Sequence, residues 1–148
     1  MRYYLNIGTN LGDRRHNLML AIAALSAGTG GCQVSSVMES QPWGFDSPHA
    51  FLNVGVAIDT ALAPMQVLGW IHDIERQLGS ASHRDAAGGY VDRLVDIDIV
   101  YAEALAPDGR WQRVGVDSRE LTIPHSHLME RDFFLQPLRQ LHPATFTL

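Results

Sequence analysis

The stretch "RLVDIDIVY", residues 93–101, has the aliphatic composition of a buried β-strand and yet carries two aspartates. Asp96 and Asp98 are two positions apart, and side chains along a strand alternate between its two faces. This period of two predicts that both carboxylates share one face with Leu94 and Val100. The opposite face is predicted to hold the apolar side chains Val95, Ile97, Ile99 and Tyr101.

Two carboxylates on one face of a strand repel each other. Their oxygens can approach to about 5 Å, where an effective dielectric constant near 20 gives a repulsion of about 3 kcal/mol. A divalent cation reverses the sign of this energy, and Mg²⁺ is usually held by one or two carboxylates together with the phosphates of a nucleotide. A strand whose aspartates point into water explains the same pattern without a ligand. From the pattern alone, both interpretations are open.

The rest of the chain alternates between strand and helix patterns. The predicted elements before residue 93 are a strand (3–8), a helix (from Asp13), two strands (33–39 and 50–60) and a helix (from Pro64). With the strand at 93–101, this order predicts an α+β fold of the ferredoxin-like βαββαβ type, an antiparallel sheet with helices on one face. We also predict edge strands within residues 111–124 and a short helix within 131–141, with Phe133, Leu135 and Leu138 turned inward.

Small or polar residues oppose the aliphatic rows of two other strands. Asn6 and Gly8 lie opposite Leu5 and Ile7 in the first strand, and Asn53 and Gly55 lie opposite the aliphatic row of the strand at 50–60. If these rows align across the sheet, they form a floor with room for a ligand, and the two aspartates stand at its edge.

Composition narrows the class of protein. The chain has 148 residues, which fits a single domain, and its net charge of −5 argues against a nonspecific nucleic-acid binder. Its positive charge comes from 11 arginines with no lysine, which excludes a Schiff-base or P-loop lysine. The single cysteine excludes an intrachain disulfide. Without an apolar leader or spanning segment, we expect a cytoplasmic monomer that binds small molecules rather than nucleic acid or membrane.

Five stretches of the sequence together resemble the 6-hydroxymethyl-7,8-dihydropterin pyrophosphokinase family. They are "YLNIGTNLGDRRHNL", "SQPWGFDSPHAFLNV", "IERQLG", "RLVDIDIVY" and "LTIPHSHLMERDFFLQPL", in the order that the family has. The resemblance covers nearly the whole chain and implies one domain over residues 1–148 with the ferredoxin-like fold. It also implies a reaction of folate biosynthesis, in which the pyrophosphoryl group of ATP moves to the pterin hydroxymethyl group and AMP is released.

The resemblance also implies roles for individual residues. Asp96 and Asp98 correspond to the pair that holds two Mg²⁺ ions against the ATP phosphates, and Arg84 and Arg93 are the arginines expected to act with them. The residues implied for ATP binding are Glu75, Arg93, Ile99, His125 and Arg131. Those implied for pterin binding are Ser40, Pro42, Trp43, Gly44, Asn53 and Phe133.

The chain departs from the family in the polar, Gly-rich loop at 80–92. The family commonly has Gly-Arg-x-Arg after the second helix, whereas this chain reads "GSAS" at 79–82, so that only His83 and Arg84 could replace the lost positive charge. This departure leaves an alternative open, a catalytically weak or inactive paralogue that binds nucleotide or pterin as a sensor. A third interpretation is a ferredoxin-like interaction module that binds neither ligand.

Overall fold

The computed structural model describes residues 1–79 and 94–142. Eleven helices and strands follow one another along these ranges, and each overlaps a segment where the sequence predicts regular structure, although β5 continues to Leu105, beyond the predicted end at Tyr101. In chain order they are β1 (Arg2–Thr9), α1 (Arg14–Thr29), β2 (Cys32–Val34), β3 (Met38–Ser40), β4 (Phe51–Asp59), α2 (Pro64–Gln77), β5 (Asp96–Leu105), β6 (Trp111–Arg113), β7 (Val116–Asp117), β8 (Thr122–Ile123) and α3 (Asp132–Leu141).

The main sheet is antiparallel, with the strand order β2-β4-β1-β5-β6, and β3 pairs with β4 beyond the end of β2. Strands β1 and β5 lie next to each other in the middle, which confirms the predicted α+β fold of the ferredoxin-like type. β7 and β8 form a separate two-stranded sheet.

The prediction of one strand over residues 33–39 is wrong. This segment forms the two short strands β2 and β3, separated by residues 35–37. The Ser35 hydroxyl accepts a hydrogen bond from the amide of Gly55 (2.8 Å), and the Ser35 amide donates to the Gly55 carbonyl (2.9 Å). Because a side chain takes a position that a backbone carbonyl would hold in a regular ladder, the pairing with β4 is interrupted at this point.

Helices α1 and α2 pack on one face of the sheet. The Asp13 side chain caps α1 by accepting from the amide of His16 (3.1 Å), and Gly30 ends the helix in the left-handed conformation. Both helices bury aliphatic side chains against Leu5, Ile7 and the row from Leu52 to Ile58. Among residues 1–79 and 94–142, the structure has no helix with the length and hydropathy of a membrane span.

Helix α3 packs on the other face of the sheet. It buries Phe134, Leu135 and Leu138 in a second cluster with side chains of β1, β4 and β5. Gly55 allows this close approach, since a Cβ atom at this position would lie 2.6 Å from Cβ of Pro137. The helix thus covers part of the face that carries the small and polar row, and its first residues border the part that it leaves open.

Two side-chain orientations differ from the predictions. Tyr101 lies in the α3 cluster and not with Ile97 and Ile99, because the register between β1 and β5 shifts at Tyr4/Leu5 and reverses the alternation beyond Val100. In α3, Phe134 takes the fully buried position, while Phe133 is only partly buried. Phe133 is therefore available to line a cavity.

Candidate functional site

The small and polar residues of three strands align across the sheet, as the sequence predicts. Asn6 of β1 pairs with Gly55 of β4 on one side and with Asp98 of β5 on the other. One step along the strands, Gly8 pairs with Asn53 and with Asp96. The result is two parallel rows on one face of the sheet, each ending in an aspartate on β5.

The larger cavity next to the aspartates has a volume of about 460 Å³ and lies along the outer edge of β5. Its walls come from α2, from β5 and from the segment between β7 and α3. The lining residues are Leu68, His72, Asp96, Ile97, Asp98, Ile99, Arg119, Glu120, Leu121, Thr122, His125, Ser126, His127 and Arg131. Apolar and charged groups both contribute, as a nucleotide with its base and phosphates would require.

The smaller cavity lies on the small and polar face, next to the ends of β1 and β4. Its volume is about 30 Å³ and aromatic side chains dominate its walls. The lining residues are Asn6, Ser40, Gln41, Trp43, Phe45, Phe51, Asn53, Asp96, Asp98, Arg131, Phe133 and Phe134. Flat aromatic walls and the amides of Asn6 and Asn53 suit a planar heterocycle with polar edges.

The two cavities meet at three charged residues. Asp96, Asp98 and Arg131 line both of them. A molecule in the larger cavity and a molecule in the smaller one would therefore face each other across the carboxylate pair. This arrangement suits the transfer of a group between two substrates.

Arg131 is a buried cation in an aromatic environment. It is 8% exposed, and its Cζ lies 4.1 Å from the ring centre of Trp43 and 5.0 Å from that of Phe134. Its buried Nε atom has no hydrogen-bond partner among the residues that the structure describes. A buried N–H group without a hydrogen-bond partner destabilises the folded protein. The guanidinium of Arg131 is therefore suited to donate hydrogen bonds to an anion such as a phosphate.

His125 is held as a neutral imidazole with a defined tautomer. Its Nδ1 accepts a hydrogen bond from the backbone amide of His127 (3.1 Å), so the proton of the neutral ring is on Nε2. Burial lowers the pKa of His125 to about 4, and the nearby positive charge of Arg131 contributes in the same direction. At neutral pH this residue offers an N–H donor, not a positive charge.

Glu75 does not line either cavity. It is 3% exposed, and its Oε2 accepts a hydrogen bond from the amide of Ile97 (2.9 Å), which ties α2 to the outer edge of β5. Its predicted contact with ATP stays a prediction.

Most of the predicted site residues that can be located lie at these cavities. Ile99, His125 and Arg131 line the larger cavity, while Ser40, Trp43, Asn53 and Phe133 line the smaller one. Pro42 and Gly44 are in the same loop as Trp43 but are not lining residues. His83, Arg84 and Arg93 lie outside the described residues.

Several lining residues are absent from the predicted site. Asn6 belongs to the predicted floor, although no specific role is assigned to it, and Phe51 shares the face of Asn53 in β4, so the alternation of this strand could have identified it. Arg119, Thr122 and His127 come from irregular segments, where a periodicity argument gives no orientation. Only the folded chain brings these segments to the edge of β5.

The donor set at the cavity junction fits Mg²⁺ that arrives with phosphates. Within residues 1–79 and 94–142, no group of three or more His, Cys, Asp or Glu side chains is arranged to hold a metal ion. Two carboxylates alone, Asp96 and Asp98, line the junction together with the cationic Arg131. This is the protein contribution that Mg²⁺ requires when substrate phosphates and water supply its other ligands.

Comparison with known proteins gives one consistent result. A family model described as 7,8-dihydro-6-hydroxymethylpterin-pyrophosphokinase matches residues 4–143. A 2-amino-4-hydroxy-6-hydroxymethyldihydropteridine pyrophosphokinase of Porphyromonas gingivalis is 39% identical over 141 residues, covering 95% of this chain and 90% of the relative. Proteins of the same name from Bacillus subtilis and Aquifex aeolicus are 33% and 32% identical over 140 residues, covering 93% and 95% of this chain and 76% and 79% of those relatives.

Proposed function

The chain belongs to the 7,8-dihydro-6-hydroxymethylpterin-pyrophosphokinase family, and from this we infer that it transfers pyrophosphate from ATP to 6-hydroxymethyl-7,8-dihydropterin. The products are the pterin diphosphate and AMP, and the reaction is a step of folate biosynthesis. Family membership confirms the resemblance that the five sequence stretches indicate. The substrates are small molecules, and ATP is the co-substrate.

One observation supports the location that we propose for the active site. Two cavities of different character meet at Asp96, Asp98 and Arg131. We propose that ATP occupies the larger cavity and the pterin the smaller one. The pterin hydroxyl oxygen would then attack the β-phosphorus at the junction and release its proton to water, while the bond from this phosphorus to the α–β bridging oxygen breaks and AMP leaves with that oxygen.

The outer edge of β5 suits the nucleotide base. The amide of Ile97 points away from β1, since it donates to Glu75. Along an antiparallel strand, the N–H and C=O groups of every second residue point to the same side. Ile99 is two residues after Ile97, so its N–H and C=O groups also point to the outer edge of β5. We propose that they pair with the base, between apolar walls that include Leu68 and Leu121.

The pterin would lie against the small and polar face. Asn53 donates to the Ser40 hydroxyl (2.7 Å), which fixes the amide at the cavity wall. We propose that Asn53 reads the polar edge of the pterin, that Phe133 and Trp43 cover its faces, and that the loop around Pro42 and Gly44 closes over it. The fixed amide of Asn53 and the aromatic rings at the wall of the smaller cavity support this proposal.

Asp96 and Asp98 would hold Mg²⁺. When bound, the ions would neutralise phosphate charge and the charge that develops on the departing AMP. We propose that two ions bind there. The protein's own contributions are the two carboxylates as ligands, the Arg131 guanidinium as a fixed cation, and the neutral His125 as a donor to a phosphate oxygen.

The proposed function is tested by measuring AMP formed from ATP in the presence of Mg²⁺. We expect AMP only when the hydroxymethyl-dihydropterin is present, and we expect Asp96→Asn or Asp98→Asn to lower kcat by at least about 100-fold, because each removes a charged ligand from the transition state. Asp117→Asn is a matched control, since Asp117 is exposed on β7 and lines neither cavity. Near-normal turnover in either site variant would contradict the assigned metal role.

The same measurement separates this function from its alternative. An inactive paralogue would bind ATP or pterin in a calorimeter but release no AMP.

We further propose that the protein acts as a monomer, because residues of one chain line both cavities.

A further inference from the structure

Two neighbouring histidines of the larger cavity, His125 and His127, carry their protons on different ring nitrogens. Nδ1 of His125 accepts a hydrogen bond from the amide of His127, so the neutral ring of His125 is protonated on Nε2. Nδ1 of His127 lies 2.8 Å from Oε2 of Glu130. Because an ionised carboxylate can only accept, this nitrogen of His127 carries a proton. In the neutral ring of His127, Nε2 can therefore accept a hydrogen bond but cannot donate one.

The imidazole of His127 lies beside the groups that we propose as phosphate ligands. Its ring centre is 5.9 Å from that of His125 and 4.8 Å from that of Trp43. Burial is the main cause of the lowered pKa of His125, and the charges of Arg131 and His127 lower it further, since both side chains lie near it. Nε2 of His127 makes no hydrogen bond to the residues that the structure describes. A phosphate that pairs with Arg131 and His125 would therefore also meet this nitrogen.

We propose that the nucleotide binds together with a proton, which Nε2 of His127 takes up from solvent and donates to a phosphate oxygen. An ionised phosphate oxygen accepts hydrogen bonds and has no proton to donate, so Nε2 must be protonated to bind it. Because Glu130 retains the proton on Nδ1, a donor at Nε2 requires the doubly protonated imidazolium. The inference rests on the proposed function, since it takes the phosphates of ATP as the occupant of the larger cavity.

Glu130 determines that this binding requires an added proton. The other neutral tautomer of His127 would donate from Nε2 without one, but it would place the lone pair of Nδ1 against the carboxylate. The carboxylate and the phosphate both favour the imidazolium, while the positive charge of Arg131 opposes it. The charged and titratable residues that line the same cavity, within the described parts of the chain, are His72, Asp96, Asp98, Arg119, Glu120, His125, His127 and Arg131.

The test is the number of protons taken up when the protein binds, with Mg²⁺, an ATP analogue that has a methylene group between the α- and β-phosphorus. Calorimetry in buffers of different ionisation enthalpy gives this number between about pH 6 and pH 8, where histidines change charge. Wild type should take up about half a proton to one proton more than His127→Gln at the pH of greatest difference. Relative to this variant, its affinity should fall by up to about tenfold per unit of rising pH.

The variants keep the rest of the site in place. His127→Gln retains a side-chain N–H donor and the backbone amide that fixes His125, so binding of the analogue stays measurable. Glu130→Gln replaces a side chain that is 62% exposed, and its amide can donate to Nδ1 of His127. The neutral ring can then carry its proton on Nε2, so this variant should bind the analogue with less proton uptake than wild type.

His72→Gln is the matched control, because His72 is another histidine of the same cavity and should not change the uptake. Three results would overturn the inference and leave the proposed function intact: equal uptake by wild type and His127→Gln, undiminished uptake by Glu130→Gln, or a loss in His72→Gln instead. A wild-type protein that does not bind the analogue with Mg²⁺ would contradict the proposed function itself.

Discussion

His125 shows how burial fixes the chemistry of one side chain. Its Nδ1 is committed to the amide of His127, and its ring packs 4.8 Å from the ring of Phe134. Protonation would break the hydrogen bond at Nδ1 and place a positive charge beside Arg131. Both effects agree with a lowered pKa, and they make His125 a donor through Nε2 over the whole physiological range.

The lowered pKa of His125 predicts a loss of stability in acid. An unfolded histidine binds a proton below about pH 6.5, whereas His125 in the folded protein binds it only below about pH 4. Between these values the unfolded state holds more protons, so the free energy of unfolding falls as the pH falls, by roughly 2 kcal/mol from this group. His125→Gln should remove this part of the slope in urea titrations at several pH values. His16→Gln, at an exposed position of α1, should retain it, and equal slopes in wild type and His125→Gln would contradict the assignment.

Helix α3 determines where the site can form. Its N-terminal residues bring Arg131 and Phe133 to the cavities, and Asn6 fixes this end by donating to the carbonyl of Phe133 (2.6 Å). Its buried face lies against the sheet at Gly55. The position of the helix on the sheet therefore sets the position of the guanidinium relative to the two aspartates.

Gly55→Ala tests the close packing of α3. The added Cβ would lie 2.6 Å from Cβ of Pro137, a rigid ring, so the helix must move outward. We expect the free energy of unfolding to fall by about 1–3 kcal/mol, with a loss of activity because Arg131 moves with the helix. Gly69→Ala is the control, since a Cβ on this residue of α2 meets no atom within 4 Å apart from its chain neighbours and the backbone of its own helix, and alanine should stabilise the helix by about 0.5–1 kcal/mol. Wild-type stability in Gly55→Ala would show that the helix is not packed as described.

The sequence predicted which segments form helices and strands better than it predicted strand register and side-chain orientation. The period of two in β1, β4 and β5 identified the aliphatic face and the row that ends in Asp96 and Asp98, because alternation along a strand is local. It could not predict the register shift that moves Tyr101 to the α3 side, nor the interruption at Ser35, because each depends on a hydrogen bond or pairing with another strand. A periodic pattern also cannot predict which way a side chain points in an irregular segment, as for His127.

The candidate site lies at an edge of the main sheet, where two cavities meet. Helices α1 and α2 cover one face, and α3 covers part of the other. The larger cavity runs along the outer edge of β5 and the smaller one lies on the uncovered part of the second face. Asp96 and Asp98 are at the crossing of these two surfaces, where the proposed Mg²⁺ ions would offset the repulsion between two like charges on a strand of the core.

A crystal structure of the protein with Mg²⁺, the α,β-methylene analogue of ATP and the hydroxymethyl-dihydropterin would show directly whether Asp96 and Asp98 hold the metal ions. We predict Mg²⁺ at about 2.0–2.1 Å from carboxylate oxygens of Asp96 and Asp98, with the nucleotide at the edge of β5 and the pterin between Asn53 and Phe133. If the analogue is bound at full occupancy and neither carboxylate contacts a metal ion, Asp96 and Asp98 do not have the proposed metal-binding role.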